Sequence, residues 1–259
     1  MSSEVLNIEI HPDYFAYALK SSAGRPISHA DIEYNSGQAT ESVQIELLSQ
    51  WLKKHQGVWN SSYQSIHISM HGFPFTVSPD MEGGMFLLKE NILTETTTDE
   101  YHFDSLSNNF GIVFFIPAKI ENIFKNYFEN PIFHHSCIGI CHFLINQKQS
   151  SQLNLHITPS EGFFFYSKKG LPVYFNSFKY KNEDDLLYYS LLVYEKLGLS
   201  SDSFPITLSG MVEKHSEIYQ MLYQYIRNIE ILNFQFNIEN YNDKIVKPNY
   251  LANLIYLES

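Results

Sequence analysis

The sequence has little of several things that would define a function class. It contains only two cysteines in 259 residues, Cys137 and Cys141, which gives no basis for a disulfide framework. Lys and Arg number 17 against 28 Asp and Glu, and the net charge of −11 argues against a protein that binds a phosphate backbone. No apolar run approaches the ~20 residues of a membrane span, and the opening residues lack the basic and apolar segments of a secretory leader. We therefore expect a cytoplasmic protein that binds no nucleic acid and does not insert into a membrane.

The motifs of well-known catalytic sites are also missing, because the chain has no P-loop, GxGxxG, HExxH or GxSxG. His67, Ser69 and His71 alternate along one predicted strand, and the absence of a nucleophile elbow favours a polar strand face over Ser/His catalysis. His134 lies three residues before Cys137 and seven before Cys141, a spacing that would put three zinc ligands on one helical face. That spacing is not that of a known zinc finger, so two core cysteines are the favoured interpretation. We predict no catalytic residue, no metal site and no cofactor.

What the chain does contain is an internal repeat. Leu6–Asp13 reads LNIEIHPD, and Leu153–Ser160, 147 residues later, reads LNLHITPS. A repeat of this length is far longer than the roughly 20–50 residues of a solenoid unit. It predicts a duplicated domain, with a first lobe over residues 1–150, a second over residues 151–259, and a functional cleft between them.

Hydrophobic periodicity predicts the same order of elements in both halves, namely a three-stranded meander, an amphipathic helix and a fourth strand. The fold class is therefore α/β, with mixed sheets flanked by helices. The polar, poorly periodic residues 73–105 indicate a small inserted subdomain in the first lobe. Two further helices are predicted at Ile218–Asn233 and at Tyr250–Leu257, the second returning to the first lobe. In the first half the repeated elements are Leu6–Ile10, Tyr14–Lys20, Ile27–Tyr34, Glu41–Lys54 and Ser65–Met70, and in the second Leu153–Ile157, Gly162–Tyr166, Val173–Phe178, Asp184–Leu197 and Pro205–Gly210.

Three stretches carry a resemblance to a known superfamily: Leu6–Tyr34, Ile66–Ser78 and Tyr101–Leu144. They resemble, in order and pattern, the opening meander, the strand into the inserted subdomain and the return strand and helix of actin-like ATPases. That superfamily has two ribonuclease-H-like halves around a nucleotide cleft. The layout is most similar to PilM-type pilus-assembly and FtsA-type cell-division proteins, and an uncharacterised bacterial family of this kind is expected.

The resemblance also indicates which residues stand where a nucleotide would bind. Phosphate loops need glycines for close backbone approach and an acid to hold Mg²⁺ or its water. Glu9 matches the first acid, but His11 stands at the glycine and Pro12 has no N–H to donate. In the second loop His156 replaces the acid. The candidate residues of a remnant cleft are Glu9, His11, Asp13, His156, Thr158, Ser160, Gly162, Ser209 and Gly210.

We therefore expect a non-catalytic actin-like scaffold or protein-binding module with degenerate phosphate loops. The alternative is a divergent nucleotide-binding ATPase or kinase of the same superfamily that uses Glu9 as its metal carboxylate. Pilus-type members hold a short peptide of a membrane-associated partner near the inserted subdomain. By resemblance, Phe73–Phe86 is the expected peptide site here.

Overall fold

The computed structural model describes residues 4–21, 27–35, 41–90, 100–147, 151–232, 234 and 248–257. These residues fall into two compact units. Of the described residues, the first unit holds 4–139 and 254–257, and the second holds 140–234 and 248–253.

The first unit is built on a five-stranded mixed sheet in the order β3-β2-β1-β4-β8. The first three strands are antiparallel neighbours, whereas β4 and β8 run parallel to β1. Its elements are β1 (Glu4–His11), β2 (Tyr14–Ser21), β3 (Ile27–Tyr34), α1 (Glu41–Lys54), α2 (Gln56–Trp59), β4 (Ser65–Met70), β5 (Phe75–Ser78), α3 (Met81–Lys89), β6 (Tyr101–Ser107), β7 (Phe110–Phe115), α4 (Ala118–Lys125) and β8 (Ile132–His135), followed by α5 (Ile138–Asn146), which carries the chain into the second unit.

The core of the first unit forms because apolar side chains alternate along β1 and recur at helical spacing on α1. Ile8 on β1 and Leu52 on α1 are fully buried in one cluster with Trp51. Trp59 closes this cluster beside Trp51, with 5.3 Å between the ring centroids. Burial of this aromatic and aliphatic surface fixes α1 against the sheet.

The inserted segment is more ordered than the sequence predicts. Strands β5, β7 and β6 form a separate three-stranded sheet, and α3 packs on it. Asp80 caps α3 by accepting a hydrogen bond from the Gly83 N–H at 2.8 Å. The subdomain extends past the predicted end at residue 105, since β7 pairs with β5 and β6 through residue 115. The Thr-rich run within it lies outside the described residues.

The second unit repeats the same sheet, in the order β11-β10-β9-β12-β13 and with the same strand directions. Asn182 caps α6 at its start, and Gly198 ends it in the left-handed conformation with φ 64°. The elements are β9 (Ser151–Ile157), β10 (Glu161–Lys168), β11 (Leu171–Lys179), α6 (Glu183–Leu197), β12 (Ile206–Gly210), α7 (Glu217–Tyr223), β13 (Ile229–Ile231), a 3-10 helix (Pro248–Leu251) and α8 (Ala252–Ile255).

The predicted helix at Ile218–Asn233 is wrong in its second half. Helix α7 stops at Tyr223, and residues 229–231 form strand β13, which pairs in parallel with β12. Ile229 and Ile231 pack on the second core as strand residues, and the pairing with β12 outweighs the helical spacing by which Ile229 follows Leu222 and Ile226.

Two further features bear on the sequence-based expectations. Within the described residues, no helix is both long and apolar enough to cross a bilayer. Cys137 and Cys141 are both buried as thiols, and no group of three or more metal-ligating side chains occurs in the part of the chain that the structure describes.

Candidate functional site

The candidate residues of the first unit lie near the carboxyl ends of β1 and β4. Glu9 on β1 pairs with Ser69 on β4 in the parallel register, and both side chains are buried. Such strand ends are the usual place for ligands in open α/β sheets.

Glu9 is engaged by two neighbouring side chains. Its Oε1 accepts a hydrogen bond from the Tyr14 hydroxyl at 2.6 Å and lies 3.0 Å from His71 Nε2. Burial, and then the charge of Glu9, raise the pKa of the Tyr14 phenol well above its ordinary value, so Tyr14 stays a donor at neutral pH. The carboxylate that the sequence aligns with a metal-binding acid is therefore held in a buried hydrogen-bonded cluster.

His11 and Asp13 flank the tight turn that joins β1 to β2. The His11 ring stacks on Tyr14 with 4.6 Å between centroids, and its Nδ1 accepts the Asp13 N–H at 3.0 Å. Pro12, between them, has no N–H. An anion at this turn would therefore find no N–H at Pro12 and an N–H at Asp13 that already donates to His11. It would also meet the Asp13 carboxylate.

In the second unit His156 occupies the position equivalent to Glu9. It pairs with Ser209 in the parallel register, and its Nδ1 lies 3.1 Å from Ser209 Oγ. Ser209 Oγ lies 3.3 Å from Asn154 Oδ1, which can accept its proton. The candidate residues His156 and Ser209 thus lie together in a buried hydrogen-bonded network.

Thr158 and Ser160 are used within the β9–β10 turn. The Thr158 N–H and its hydroxyl both donate to the Glu161 carbonyl, at 3.0 and 2.9 Å. The Ser160 carbonyl accepts the Tyr180 N–H at 3.0 Å, and the Tyr180 hydroxyl donates to the Thr158 carbonyl at 2.5 Å. These bonds give the turn a closed local structure.

The two glycines among the candidates lie in close packing within their own unit. Gly210 has φ +82°, and a Cβ there would lie 2.2 Å from the Ile157 carbonyl oxygen, so this position excludes a larger residue. A Cβ on Gly162 would lie 2.7 Å from Leu186 Cδ1, so the end of that side chain on α6 would have to shift.

Beside the Glu9 cluster the first unit has an apolar cavity of about 310 Å³. Helix α1 supplies one wall, through Gln44, Ile45 and Leu48, and the entry to the inserted subdomain supplies another. The remaining lining residues are Ile10, His11, Pro12, Phe15, Met70, His71, Gly72, Phe73, Pro74, Phe115, Pro117 and Ile120.

Sequence reasoning missed Tyr14, Ser69 and His71 as the partners of Glu9. Comparing the two repeats could have found Ser69, because it stands where Ser209 stands in the second half. Tyr14 carried no signal, since its contact with Glu9 depends on the tightness of the β1–β2 turn.

These features define a protein of the actin-like ATPase fold. A Bacteroides thetaiotaomicron protein of that fold and unknown function matches with a TM-score of 0.77 at 14% identity, over 98% of this chain and 96% of its own. PilM in a PilM–PilN type IV pilus biogenesis complex matches at 0.69 and 12%, over 97% of each chain. The ethanolamine utilization protein EutJ of Carboxydothermus hydrogenoformans matches at 0.55 and 6%, over 98% and 87%. The chain belongs to the DUF3822 family, proteins of unknown function, whose profile matches residues 2–229. No curated protein matches the sequence significantly.

Proposed function

We propose that this protein is a binding module without nucleotide-dependent catalysis, in which the apolar cavity of the first unit takes side chains of a short peptide from a protein partner. The observation that carries the proposal is the cavity itself, about 310 Å³ of mainly apolar lining at the strand ends where a ligand is expected. A space of this size suits one or two large apolar side chains. The adjoining carboxylate and turn are already engaged by Tyr14, His71 and His11.

The similarity to PilM supports the same proposal, because PilM forms a complex with PilN in the solved structure. Phe73, within the peptide site expected from the resemblance, lines the cavity. By that resemblance the peptide would belong to a membrane-associated partner.

Peptide selection tests the proposal directly. Displayed random peptides are selected on the wild-type protein, and the affinity of the enriched peptides is measured for two variants of α1. Ile45→Lys places a charge in the cavity wall and should weaken binding at least about tenfold, because the ammonium group would be desolvated by an apolar ligand. Glu46→Lys changes the exposed next residue and should leave affinity unchanged. Equal binding to both variants, or no enriched peptide, would count against the proposal.

A further inference from the structure

Outside the Glu9 cluster, four polar side chains of the first unit form a continuous hydrogen-bonded chain. Ser65 Oγ lies 3.0 Å from His67 Nε2, and His67 Nδ1 lies 2.9 Å from His134 Nε2. His134 Nδ1 lies 2.8 Å from Asp104 Oδ1. The residues come from β4, β8 and β6, so three separate strands place them in contact.

The acceptor at one end fixes the direction of every bond in this chain. An ionised carboxylate only accepts, and Asp104 also accepts the His135 N–H at 2.6 Å. With one proton on each ring, His134 Nδ1 carries the proton that it donates to Asp104, and its Nε2 accepts from His67 Nδ1. His67 Nε2 is then left as the acceptor for the Ser65 hydroxyl.

Ser65 also lines a cavity of about 460 Å³, distinct from the apolar one. Gln64 and Asn130, which line the same cavity, carry uncharged side-chain N–H donors. Donors of this type stabilise an oxyanion. A hydroxyl bonded to a neutral imidazole at the wall of a polar cavity is the arrangement of an activated nucleophile.

We propose that Ser65 is the nucleophile of an acyl-transfer site for small uncharged esters. Its Oγ attacks the ester carbonyl carbon and its proton moves to His67 Nε2. The proton on His67 Nδ1 moves to His134 Nε2, so that the positive charge rests beside Asp104. Collapse of the tetrahedral intermediate breaks the ester C–O bond, and the alcohol leaves with the proton of His67 Nε2 while the proton on His134 Nε2 returns to His67 Nδ1. Water then hydrolyses the acyl-Ser65.

The surroundings of the chain agree with that direction of proton transfer. Burial is the largest cause that lowers the pKa of His67 to about 4, so its ring is in the basic form at neutral pH. A charge held on His134 is instead stabilised by the Asp104 carboxylate. The protein has a net charge of −11 and Glu129 lines the cavity, so an uncharged substrate is favoured over an anion.

A fluorophosphonate probe tests the proposal on the full chain. Attack by Ser65 Oγ forms an O–P bond and expels fluoride, and peptide mass spectrometry locates the adduct. We expect the adduct on Ser65 in the wild-type protein and none in Ser65→Ala. The absence of a Ser65 adduct in folded wild-type protein would overturn the proposal, whatever the variants do.

Two further variants separate nucleophile activation from folding. Ser177→Ala removes another strand serine that donates to a carboxylate, Glu161 at 2.6 Å, and should leave Ser65 labelling unchanged. His134→Gln keeps an acceptor for His67 but removes the site where the charge rests. It should slow labelling about tenfold or more and shift the midpoint of its pH profile. An unchanged rate and pH profile in His134→Gln would show that the hydrogen-bonded chain does not activate Ser65.

Discussion

At the scale of single residues, the clearest contrast is between the role the sequence suggests for Glu9 and the contacts it makes. The resemblance to actin-like ATPases places Glu9 where a metal carboxylate would stand. The structure adds two partners of Glu9. Tyr14 lies just after the β1–β2 turn, and His71 lies just after the end of β4. The acid could be predicted from sequence because it lies on a repeated strand. Its partners could not, because they depend on side chains meeting across the sheet.

Replacement of this carboxylate should cost stability. We expect Glu9→Gln to lower the free energy of unfolding by about 1–3 kcal/mol, since Tyr14 and His71 bond the same Glu9 oxygen and hydrogen bonds to a neutral amide oxygen are weaker than those to a carboxylate. Urea unfolding measures the change. Glu46→Gln, at an exposed position of α1, should stay within about 0.5 kcal/mol of wild type. Equal effects of the two substitutions would show that the buried cluster adds no stability.

Two buried or half-buried histidines make stability depend on pH. Burial, and then the charge of His71, lowers the pKa of His135 to about 3, and that of His67 is lowered to about 4. Both values lie below the ordinary 6.5, so the unfolded chain binds more protons between pH 6.5 and these values. Stability is therefore full above about pH 6.5 and falls as the pH drops. We expect a loss of roughly 2–4 kcal/mol by pH 4, mostly from His135 because His67 is partly exposed.

Urea unfolding at several pH values between 7 and 4 measures this loss. His135→Gln serves as the comparison, because glutamine does not titrate. The variant should be less stable at pH 7 but lose less stability on acidification than wild type does. The same slope in both proteins would remove His135 as the cause.

At the scale of elements, hydrophobic periodicity correctly predicted the bounds of those helices and strands that are determined by their own residues. The bounds of β3, α1 and β4 agree with the structure because each begins and ends within its own periodic run. Strands β5 and β13 were not predicted as separate strands, because each is defined by pairing with a strand distant in sequence. Ile229 continues the helical spacing of Leu222 and Ile226, whereas Ile229 and Ile231 alternate as in a strand, and the neighbouring β12 decides between them.

The packing of α3 on the inserted sheet depends on one glycine. A Cβ on Gly84 would lie 2.3 Å from Val113 Cγ2, and Val113 is fully buried in β7. We expect Gly84→Ala to destabilise by about 1–3 kcal/mol, because this clash exceeds the helix-propensity gain of about 1 kcal/mol.

Gly57→Ala on α2 is the matched control, since its added Cβ would meet nothing within 4 Å. It should be neutral or stabilise by up to about 1 kcal/mol. Thermal unfolding of both variants provides the measurement. If Gly84→Ala proved as stable as Gly57→Ala, the close packing of α3 on β7 would be wrong.

At the scale of the whole molecule, the duplication preserves structural polar residues and changes the acidic one. Asn7 and Asn154 are equivalent, both fully buried, and both donate to a carbonyl, that of Leu254 at 2.8 Å and of Thr207 at 2.9 Å. Ser69 and Ser209 are likewise equivalent and buried. At another pair of equivalent positions the side chains differ, with Glu9 in the first unit and His156 in the second. The residues kept in both copies are those that satisfy buried backbone and side-chain groups.

The rival function, a nucleotide-dependent enzyme, makes a prediction opposite to ours. A ligand present at 100 times its dissociation constant stabilises the folded state by ~2.7 kcal/mol, which in a chain of this length raises Tm by roughly 5–10 °C. We expect Mg-ATP at millimolar concentration to change Tm by less than about 1 °C, because Pro12 has no N–H and that of Asp13 is already donated to His11. Differential scanning fluorimetry with ATP, Mg²⁺ and both together measures the shift. A rise of several degrees that needs both Mg²⁺ and ATP, and disappears in a folded Glu9→Gln variant, would establish the enzyme function instead and assign Glu9 to the metal.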